Sequence, residues 1–375
     1  MAKRNTVISI SKGIAIILMV IGHAEGPGFL TSFIYTFHMP LFFIAAGYFF
    51  NRERSLADPW SFISKRLKGL YVPMVKWSLI FLLLHNLWFH VGLLNEQFGN
   101  WSGGVTHPYT LATAVDRAWR IVTGMGGYDE FMAGAFWFFR GLLLASVGFL
   151  LLSLVLDGRR GLGSPVRVTV AICLLALAVV AIRLTFKISY CPFPNGGWRE
   201  TWGIFFFGLG VLYRAWESRI PDHWAIASLC AVFLGVAAWN HFSGMNNGAR
   251  MQDLITLPLT GAAGFLLVHY VASLLDRRDT RLRRWLVFVG DNTLWIFIFH
   301  IISFKVVSVA KVMWYGLDWG QVGCHMVIHD CRPDWFWLFY TIAGVGIPLA
   351  GITLWRRAAA VITGRRADAV APVAD

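Results

Sequence analysis

One lysine and two histidines, Lys12, His23 and His38, lie inside the largely apolar stretch over residues 11–50. Lys12 and His23 are eleven positions apart, which is about three helical turns, so a helix would place both on one face. They would stand about 16 Å apart along the helix axis, half of the hydrocarbon thickness of a bilayer. Because ionisable side chains are costly inside a membrane, this pattern predicts a functional centre.

The residue types indicate acid–base chemistry beside an anion. Imidazole is the side chain whose ordinary pKa suits a general base at neutral pH, and we predict that His23 is this base. Lys12 is the predicted catalytic partner for a negatively charged substrate group, although a lysine so close to the helix start can also simply snorkel to the interface. His38 is predicted to orient either the substrate or His23.

Composition indicates that a membrane surrounds these residues. Hydrophobic residues make up 57% of the chain and charged residues 14%, whereas soluble proteins carry about 25% charged residues. The net charge of +13 does not indicate nucleic-acid binding, because the basic residues form short clusters between apolar segments. We therefore expect membrane lipid as a partner and no nucleic acid.

The hydropathy pattern predicts an all-α fold, a polytopic transmembrane helix bundle of about ten spans. Their approximate ranges are 7–26, 29–49, 70–92, 136–157, 167–186, 198–214, 223–242, 253–275, 286–310 and 335–356. Lysine and arginine collect in alternate loops, so the positive-inside rule places both termini in the cytoplasm. The first span is predicted to be a retained helix, since it lacks a signal-peptidase pattern.

Five short motifs follow one another along almost the whole chain. They are Lys12-x10-His23; Phe37-His38-Met39-Pro40 with Gly47-Tyr48; Lys65-Arg66-Leu67; Phe136-Trp137-Phe138-Phe139 with Arg140; and Gly290-x-Asn292-Thr293-Leu294 with His300. In this order they resemble the motifs of the membrane-bound acyltransferase 3 family. On this resemblance we expect an acyltransferase 3 domain over residues 1–358 and a short cytoplasmic tail over 359–375.

The resemblance implies an O-acyltransferase that moves an acyl group, usually acetyl, from cytoplasmic acyl-CoA to a hydroxyl of a carbohydrate or lipid-linked sugar. The acceptor would lie at the outer face of the plasma or inner membrane. Acyl-CoA would be a donor substrate, and no permanently bound cofactor is expected. One position departs from the family: Ser9 stands where many relatives have an acidic residue.

Several further residues are predicted to build the substrate sites. The anionic nucleotide of acyl-CoA requires cations, and the predicted donor-binding residues are Lys65, Arg66 and Arg140 beside Lys12. Arg140 and Glu200 are also candidates for an ion pair, because intramembrane charges usually pair. Asn292, His300 and Glu200 are predicted to line the substrate cavity, although His300 can equally form an ordinary interhelical hydrogen bond.

A transporter or exporter of a glycan or lipid-linked precursor is the alternative function, with the intramembrane histidine and lysine residues as a proton relay. Transporters commonly contain repeated halves, and residues 190–375 contain no second copy of either N-terminal motif. A sensor that only binds lipid or glycan would not need charges at two depths of one helix. The acyltransferase is therefore the favoured prediction, with oligomeric state left open.

The cysteines and glycines carry structural predictions. Cys173 and Cys230 lie in apolar spans and are predicted to pack there, whereas Cys191, Cys324 and Cys331 lie in outward loops. A Cys324–Cys331 disulfide is the favoured pairing, and no metal site is predicted, because the spacing around these cysteines matches no standard zinc pattern. Two glycine pairs are predicted to mark close helix packing; they are Gly208-x-Gly210 and Gly261-x2-Gly264.

Overall fold

The structure is a computed structural model that describes residues 5–99, 107–158, 163–188, 197–245 and 250–363. Cys191 and residues 364–375 of the predicted tail lie outside these ranges. Within them the chain is helical and contains no strand, which confirms the all-α prediction. The α-helices are α1 (Thr6–His23), α2 (Gly28–Tyr35), α3 (His38–Tyr48), α4 (Arg52–Ala57), α5 (Pro59–Arg66), α6 (Val72–His90), α7 (Glu96–Gly99), α8 (Leu111–Gly124), α9 (Trp137–Leu156), α10 (Pro165–Phe186), α11 (Trp198–Trp216), α12 (Trp224–Trp239), α13 (Asp253–Asp276), α14 (Arg281–Asp291), α15 (Thr293–Tyr315) and α16 (Phe336–Thr363).

Eight helical segments in the described ranges are long and apolar enough to cross a membrane. They are α1, α2 with α3, α5 with α6, α9, α10, α13, α15 and α16. The two remaining predicted spans are also helices. However, α12 has only 16 residues, and α11 carries Arg199, Glu200 and Arg214 among its 19 residues. The polytopic prediction is thus confirmed, with eight segments of spanning length instead of ten.

The second predicted span is broken between α2 and α3, and Pro40 explains the break. Proline has no N–H to donate, and its ring would clash with the carbonyl four residues earlier, that of Thr36. The backbone leaves helical geometry at Phe37, where φ is −142° and ψ is −17°. The carbonyl of Ile34 then accepts a hydrogen bond from the imidazole Nδ1 of His38 at 3.0 Å.

The ninth span begins later than the sequence predicts, at Thr293 rather than residue 286. The chain between α14 and α15 is interrupted at Asn292, whose amide Nδ2 donates to the carbonyl of Phe288 at 2.8 Å. Hydropathy does not detect this interruption, because apolar residues continue on both sides of it. As a result, the span extends to Tyr315 rather than residue 310.

The helices form two compact units. The first comprises residues 1–15, 29–71 and 138–287, and the second comprises residues 16–28, 72–137 and 288–375. Each unit therefore combines segments that are distant in sequence.

Close backbone contacts hold the first unit together. A Cβ on Gly210 of α11 would lie 2.0 Å from the carbonyl oxygen of Ile44 in α3, and one on Gly47 would lie 1.9 Å from the carbonyl oxygen of Phe207. These two glycines let α3 and α11 approach until their backbones touch. A Cβ on Gly208 would meet the sulfur of Cys173 in α10 at 2.4 Å.

Helix α13 joins the same packing through its own glycine pair. A Cβ on Gly261 would lie 2.9 Å from Cβ of Pro40, and one on Gly264 would lie 2.2 Å from the side chain of Phe37. Both predicted glycine pairs are therefore confirmed as positions of close helix packing. They make room for the broken segment that carries His38.

In the second unit, buried lysines on α15 hold the loop that precedes α16. The Nζ atom of Lys305 donates to the carbonyls of Val322 (2.9 Å) and Cys324 (2.5 Å), and Lys311 donates to the carbonyl of Ile328 (3.0 Å). Carbonyls of a buried loop need such donors, because unpaired polar groups are costly away from water. The loop is thus fixed to α15 at three points.

Candidate functional site

His23 is the last residue of α1, and its ring lies against that of His300 on α15. The Nδ1 atom of His23 is 2.8 Å from Nε2 of His300, and the two ring centroids are 5.0 Å apart. His300 is fully buried, whereas His23 is half-buried. Two predicted site residues, 277 positions apart, are therefore in direct contact within the second unit.

The hydrogen bonds of His300 determine which nitrogen of His23 carries the proton. The Nδ1 atom of His300 lies 2.9 Å from the carbonyl oxygen of Phe297 and 3.1 Å from that of Ile296. Carbonyl oxygens only accept, so Nδ1 of His300 carries the proton, and Nε2 of the neutral ring is an acceptor. His23 must then donate from Nδ1, which leaves the lone pair on its own Nε2. A positioned imidazole with this lone pair can act as a base.

Asn292 lies at the start of the helix that carries His300. Its side chain is 1% exposed, and its amide Nδ2 donates to the carbonyl of Phe288. Its Oδ1 atom is buried and has no hydrogen-bond partner within the described ranges. A buried acceptor without a partner is costly, so Asn292 offers one hydrogen-bonding position to a ligand or a water molecule.

Lys12 belongs to the first unit and stands on α1, which runs unbroken from Thr6 to His23. The helix thus has the form that the Lys12-x10-His23 spacing predicts. The side chain of Lys12 is half-buried.

In the structure, His38 contacts the end of the preceding helix, α2. Its side chain is 2% exposed, its Nδ1 bonds the carbonyl of Ile34, and its ring meets that of Tyr35 edge to face at 5.1 Å. The imidazole is therefore a second donor to the carbonyl of Ile34, which also accepts from the backbone N–H of Phe37 at 3.2 Å at the helix break. The predicted role of His38 in the reaction stays a prediction.

Arg140 and Glu200 form the predicted ion pair inside the first unit. The Nε atom of Arg140 on α9 lies 2.8 Å from Oε1 of Glu200 in the first turn of α11, and their side chains are 3% and 9% exposed. The other carboxylate oxygen, Oε2, is buried and has no hydrogen-bond partner within the described ranges. The pairing is confirmed, and a role in lining the substrate cavity stays a prediction.

Lys65 and Arg66 occupy the last turn of α5, directly before a π-helical turn, Leu67–Tyr71. Lys65 is exposed, and the guanidinium of Arg66 lies 5.1 Å from the ring centroid of Phe62. Both residues belong to the first unit, as Lys12 does.

The predicted Cys324–Cys331 disulfide is wrong, since both residues have free thiols. Cys324 is buried against Val312, Val322 and Ile328, where burial raises the pKa of its thiol to about 11, whereas Cys331 is exposed. The two side chains thus face different surroundings. Within the described ranges, no group of three or more histidine, cysteine or acidic residues is placed to hold a metal ion.

Sequence reasoning missed a set of charged residues close to the end of α1. Glu25 accepts hydrogen bonds from Arg332, and Lys311 forms an ion pair with Asp334 at 2.6 Å. The sequence places Lys311 and Arg332 among loop charges that report only on topology. The one available signal was the acidic residue two positions after His23.

One comparison with known proteins gives a match. The model of a family described as an acyltransferase domain matches residues 6–355, which is nearly the whole chain. Neither the curated proteins nor the solved structures contain a match. The eight apolar helices of spanning length agree with an integral membrane enzyme. The chain belongs to the acyltransferase 3 family and is a multi-pass membrane acyltransferase.

Proposed function

We propose that this protein transfers an acyl group from acyl-CoA to a hydroxyl of an extracytoplasmic carbohydrate or lipid-linked sugar, with His23 as the base. The contact between His23 and His300 carries this proposal. The carbonyls behind His300 fix the proton positions along the pair, so the lone pair falls on Nε2 of His23. A hydroxyl attacking a thioester needs such a base, because its own pKa lies far above neutral pH.

The proposed step conserves protons and charge. The acceptor hydroxyl attacks the thioester carbon while its proton moves to Nε2 of His23. The C–S bond breaks, and the departing CoA sulfur receives that proton, which leaves an ester, free CoA and a neutral His23. Throughout the step the Nδ1–H of His23 points at His300, which holds the ring in one orientation.

Cations of the first unit are the proposed donor site. Acyl-CoA carries an anionic nucleotide, and Lys12, Lys65 and Arg66 supply positive charge at the side that the positive-inside rule assigns to the cytoplasm. Lys12 offers a point charge rather than the bidentate fork of an arginine. Because α1 is continuous, the same helix carries a donor-side cation and, about 16 Å further along its axis, the proposed base.

Arg140 is a further residue that is proposed to contact the acyl-CoA donor. Arginine is well suited to phosphate, and the pair with Glu200 already holds its guanidinium in a fixed position. Asn292 is proposed to contact the substrate through its unpartnered Oδ1. The acyl group is proposed to be acetyl, and the membrane to be the plasma or inner membrane.

Transfer of radiolabel from acetyl-CoA tests the proposal in membranes that carry the full chain. Glycan and lipid-linked sugar are extracted and counted for the wild type, His23→Ala and Lys12→Ala. General-base catalysis contributes about 10²- to 10⁴-fold, so His23→Ala should lose label by this factor. Lys12→Ala should raise the KM for acetyl-CoA. His90→Ala is the matched control, since His90 is exposed at the end of α6.

Three outcomes distinguish base catalysis by His23 from a different base, from an acyl-histidine relay and from transport. Equal transfer by wild type and His23→Ala would contradict the assignment of the base. Label that stays on the protein without acceptor, and is absent in His23→Ala, would indicate an acyl-histidine relay rather than direct attack. No transfer in any sample, with other acyl donors also inactive, would overturn the proposed reaction and favour transport.

A further inference from the structure

A cavity of about 350 Å³ opens in the second unit directly after the end of α1. Its wall includes Ala24 and Glu25 from the turn that follows His23, together with side chains from the ends of α15 and α16 and the loop between them. This volume lies at the small end of the range of about 300–1,000 Å³ that is typical of small-molecule sites. The proposed acyl transfer described above uses none of the polar side chains in this wall.

Two ion pairs form the polar wall of the cavity. Lys311 and Asp334 are 2.6 Å apart, with side chains 1% and 9% exposed, and Arg332 binds the carboxylate of Glu25. Arg332 also donates from Nη2 to the backbone carbonyl of Glu25 at 2.6 Å. The wall thus presents two cations and two anions, a balance that disfavours a strongly charged ligand.

The backbone of Glu25 is held in an unusual conformation. Its φ is +50°, in the left-handed region that residues other than glycine rarely adopt. This conformation closes the C-terminus of α1, where the N–H of Gly26 donates to the carbonyl of Ile21 at 3.4 Å. Arg332 donates hydrogen bonds to both the carboxylate and the backbone carbonyl of Glu25, which fixes the Glu25 side chain in the cavity wall.

His329 is a further titratable group that faces these charges, beside Asp330, Tyr315 and Tyr340. Its Nδ1 lies 3.3 Å from the carboxylate of Glu25 and 3.1 Å from Nη1 of Arg332. Burial is the largest influence on this imidazole and lowers its pKa. A neutral His329 leaves the balance of two cations and two anions unchanged.

Aromatic side chains form another part of the wall. Tyr340 is buried, and its hydroxyl is engaged by Ser308 and by the backbone N–H of Ile328, so it shapes the cavity floor. Trp337 is half-buried, and its ring edge lies beside Gly26, where an added Cβ would be 3.5 Å away. A partly open indole beside fixed donors and acceptors suits a ligand with one apolar face and a polar rim.

The cavity is connected to the histidine pair through packed side chains. Ala24 in its wall directly follows His23 in the chain. The ring of Phe304 is 5.7 Å from that of His300 and 5.5 Å from that of Tyr340, measured between centroids. The ring of Phe304 therefore lies between His300 and Tyr340, and the turn that follows His23 forms another part of the cavity wall.

We propose that this cavity is the acceptor subsite and holds an uncharged sugar ring, with its C–H face on Trp337 and its hydroxyls at the two ion pairs. Hydroxyls both donate and accept, so they match a wall that offers ammonium, guanidinium and carboxylate groups together. A phosphate or a uronic acid would face the carboxylates of Glu25 and Asp334 as well as the two cations, so it would gain no net electrostatic attraction from this wall. The inference rests on the proposed acyl transfer, for which it names the acceptor chemistry and the binding residues.

Binding is measured first, with the full chain in lipid nanodiscs free of glycoside detergents. The probes are the methyl glycosides of glucose, galactose and N-acetylglucosamine, the methyl glycoside of glucuronic acid, and inorganic phosphate. Saturation-transfer NMR should detect the neutral glycosides and should show weak or no binding of the two anions. The dodecyl glycosides form a second arm, and at least about tenfold tighter binding there would indicate a lipid-linked rather than a free acceptor.

Variants then locate the binding site. Truncating an aromatic anchor in a pocket should weaken binding by about tenfold or more, so Trp337→Ala should raise the Kd and the acceptor KM by this factor. Trp337→Phe should lie between this variant and the wild type. Trp335→Ala is the matched control, since Trp335 lies two positions away, is 73% exposed and does not line the cavity.

The acyl-transfer assay and the NMR binding assay can contradict their two proposals independently of each other. If no label moves from any acyl donor, the acyl-transfer proposal falls, while NMR still reports on sugar binding. The cavity proposal is overturned if Trp337→Ala and Trp335→Ala bind the glycosides equally well. It is also overturned if phosphate or the glucuronide binds and the neutral glycosides do not.

Discussion

The Nε atom of Arg140 lies 2.8 Å from Oε1 of Glu200, and this pair joins α9 to α11 through side chains that are almost entirely buried. Removing one member of a buried pair leaves an uncompensated charge and costs about 3–5 kcal/mol. We therefore expect Arg140→Met and Glu200→Leu each to lower the apparent Tm of the detergent-solubilised protein by several degrees. Scanning fluorimetry measures this shift.

The double variant Arg140→Met/Glu200→Leu separates stability from binding. Apolar replacement of both partners is often neutral or stabilising, so its Tm should return close to that of the wild type. If Arg140 also holds the donor, the folded double variant should still show a raised KM for acyl-CoA. A double variant with wild-type kinetics would restrict the pair to a structural role.

Gly210 gives a prediction about helix packing with an internal control. A methyl group at this position would meet the carbonyl oxygen of Ile44 at 2.0 Å, so Gly210→Ala must push α3 and α11 apart. Overpacking of this kind costs about 1–3 kcal/mol or more. We expect a lower Tm and reduced yield of folded protein.

Gly235→Ala in α12 is the control for this effect, because a Cβ there would have no atom within 4 Å. Alanine is a better helix former than glycine by about 0.5–1 kcal/mol, so the Tm should stay the same or rise. Equal destabilisation by the two substitutions would contradict the packing explanation.

Local spacing predicted the site features that lie along one element or depend on charge alone. The Lys12-x10-His23 interval predicted a single helix, and α1 is continuous over it. The rule that intramembrane charges pair predicted the contact between Arg140 and Glu200, which are 60 positions apart. Both predictions needed only helix geometry and the cost of an unpaired buried charge.

Features that depend on backbone geometry or on contacts between distant segments were harder to predict from the sequence. The break before His38 has a sequence signal in Pro40, but an average over hydropathy ignores it. The contact between His23 and His300 depends on the register of two packed helices, which motif order does not determine. The false disulfide came from proximity in sequence alone, whereas Cys324 turns into the apolar cluster beneath its loop.

His325 predicts how stability changes with acid. Its ring packs edge to face on Phe131 at 5.1 Å, and its Nε2–H donates to the carbonyl of Glu130 at 3.3 Å. Burial lowers the pKa of this imidazole from 6.5 to about 4, with Lys305, Asp129 and His329 as the neighbouring charges. The native state therefore keeps His325 neutral where the unfolded chain would protonate it.

The direction of the stability change follows from the two pKa values of His325, 6.5 in the unfolded chain and about 4 in the native state. Above pH 6.5 neither state is protonated at His325, so its contribution to stability is fully present. Between pH 6.5 and about 4 the unfolded chain binds the extra proton, so stability falls as the pH falls. The Tm of His325→Gln, which can still donate to Glu130, should fall less than that of the wild type over this interval. Parallel Tm curves for the two proteins would contradict this origin.

His300 gives the sharpest test of how the base is oriented. Its Nε2 accepts from Nδ1 of His23, so it acts as a positioning residue rather than as a group that touches the substrate. In His300→Gln the amide oxygen can take the place of Nε2, whereas His300→Phe keeps the ring shape and removes the acceptor.

Since His300 is fully buried, both variants must first be shown to fold, by their Tm and by binding of acyl-CoA. His300→Phe should then lose about 10²-fold in kcat, which is within the range of general-base catalysis, and His300→Gln should retain activity within about tenfold of the wild type. An oriented base explains this order, because only the glutamine keeps the proton of His23 on Nδ1. If both folded variants lose activity equally, the ring of His300 matters for packing alone, and the proton assignment on His23 falls with it.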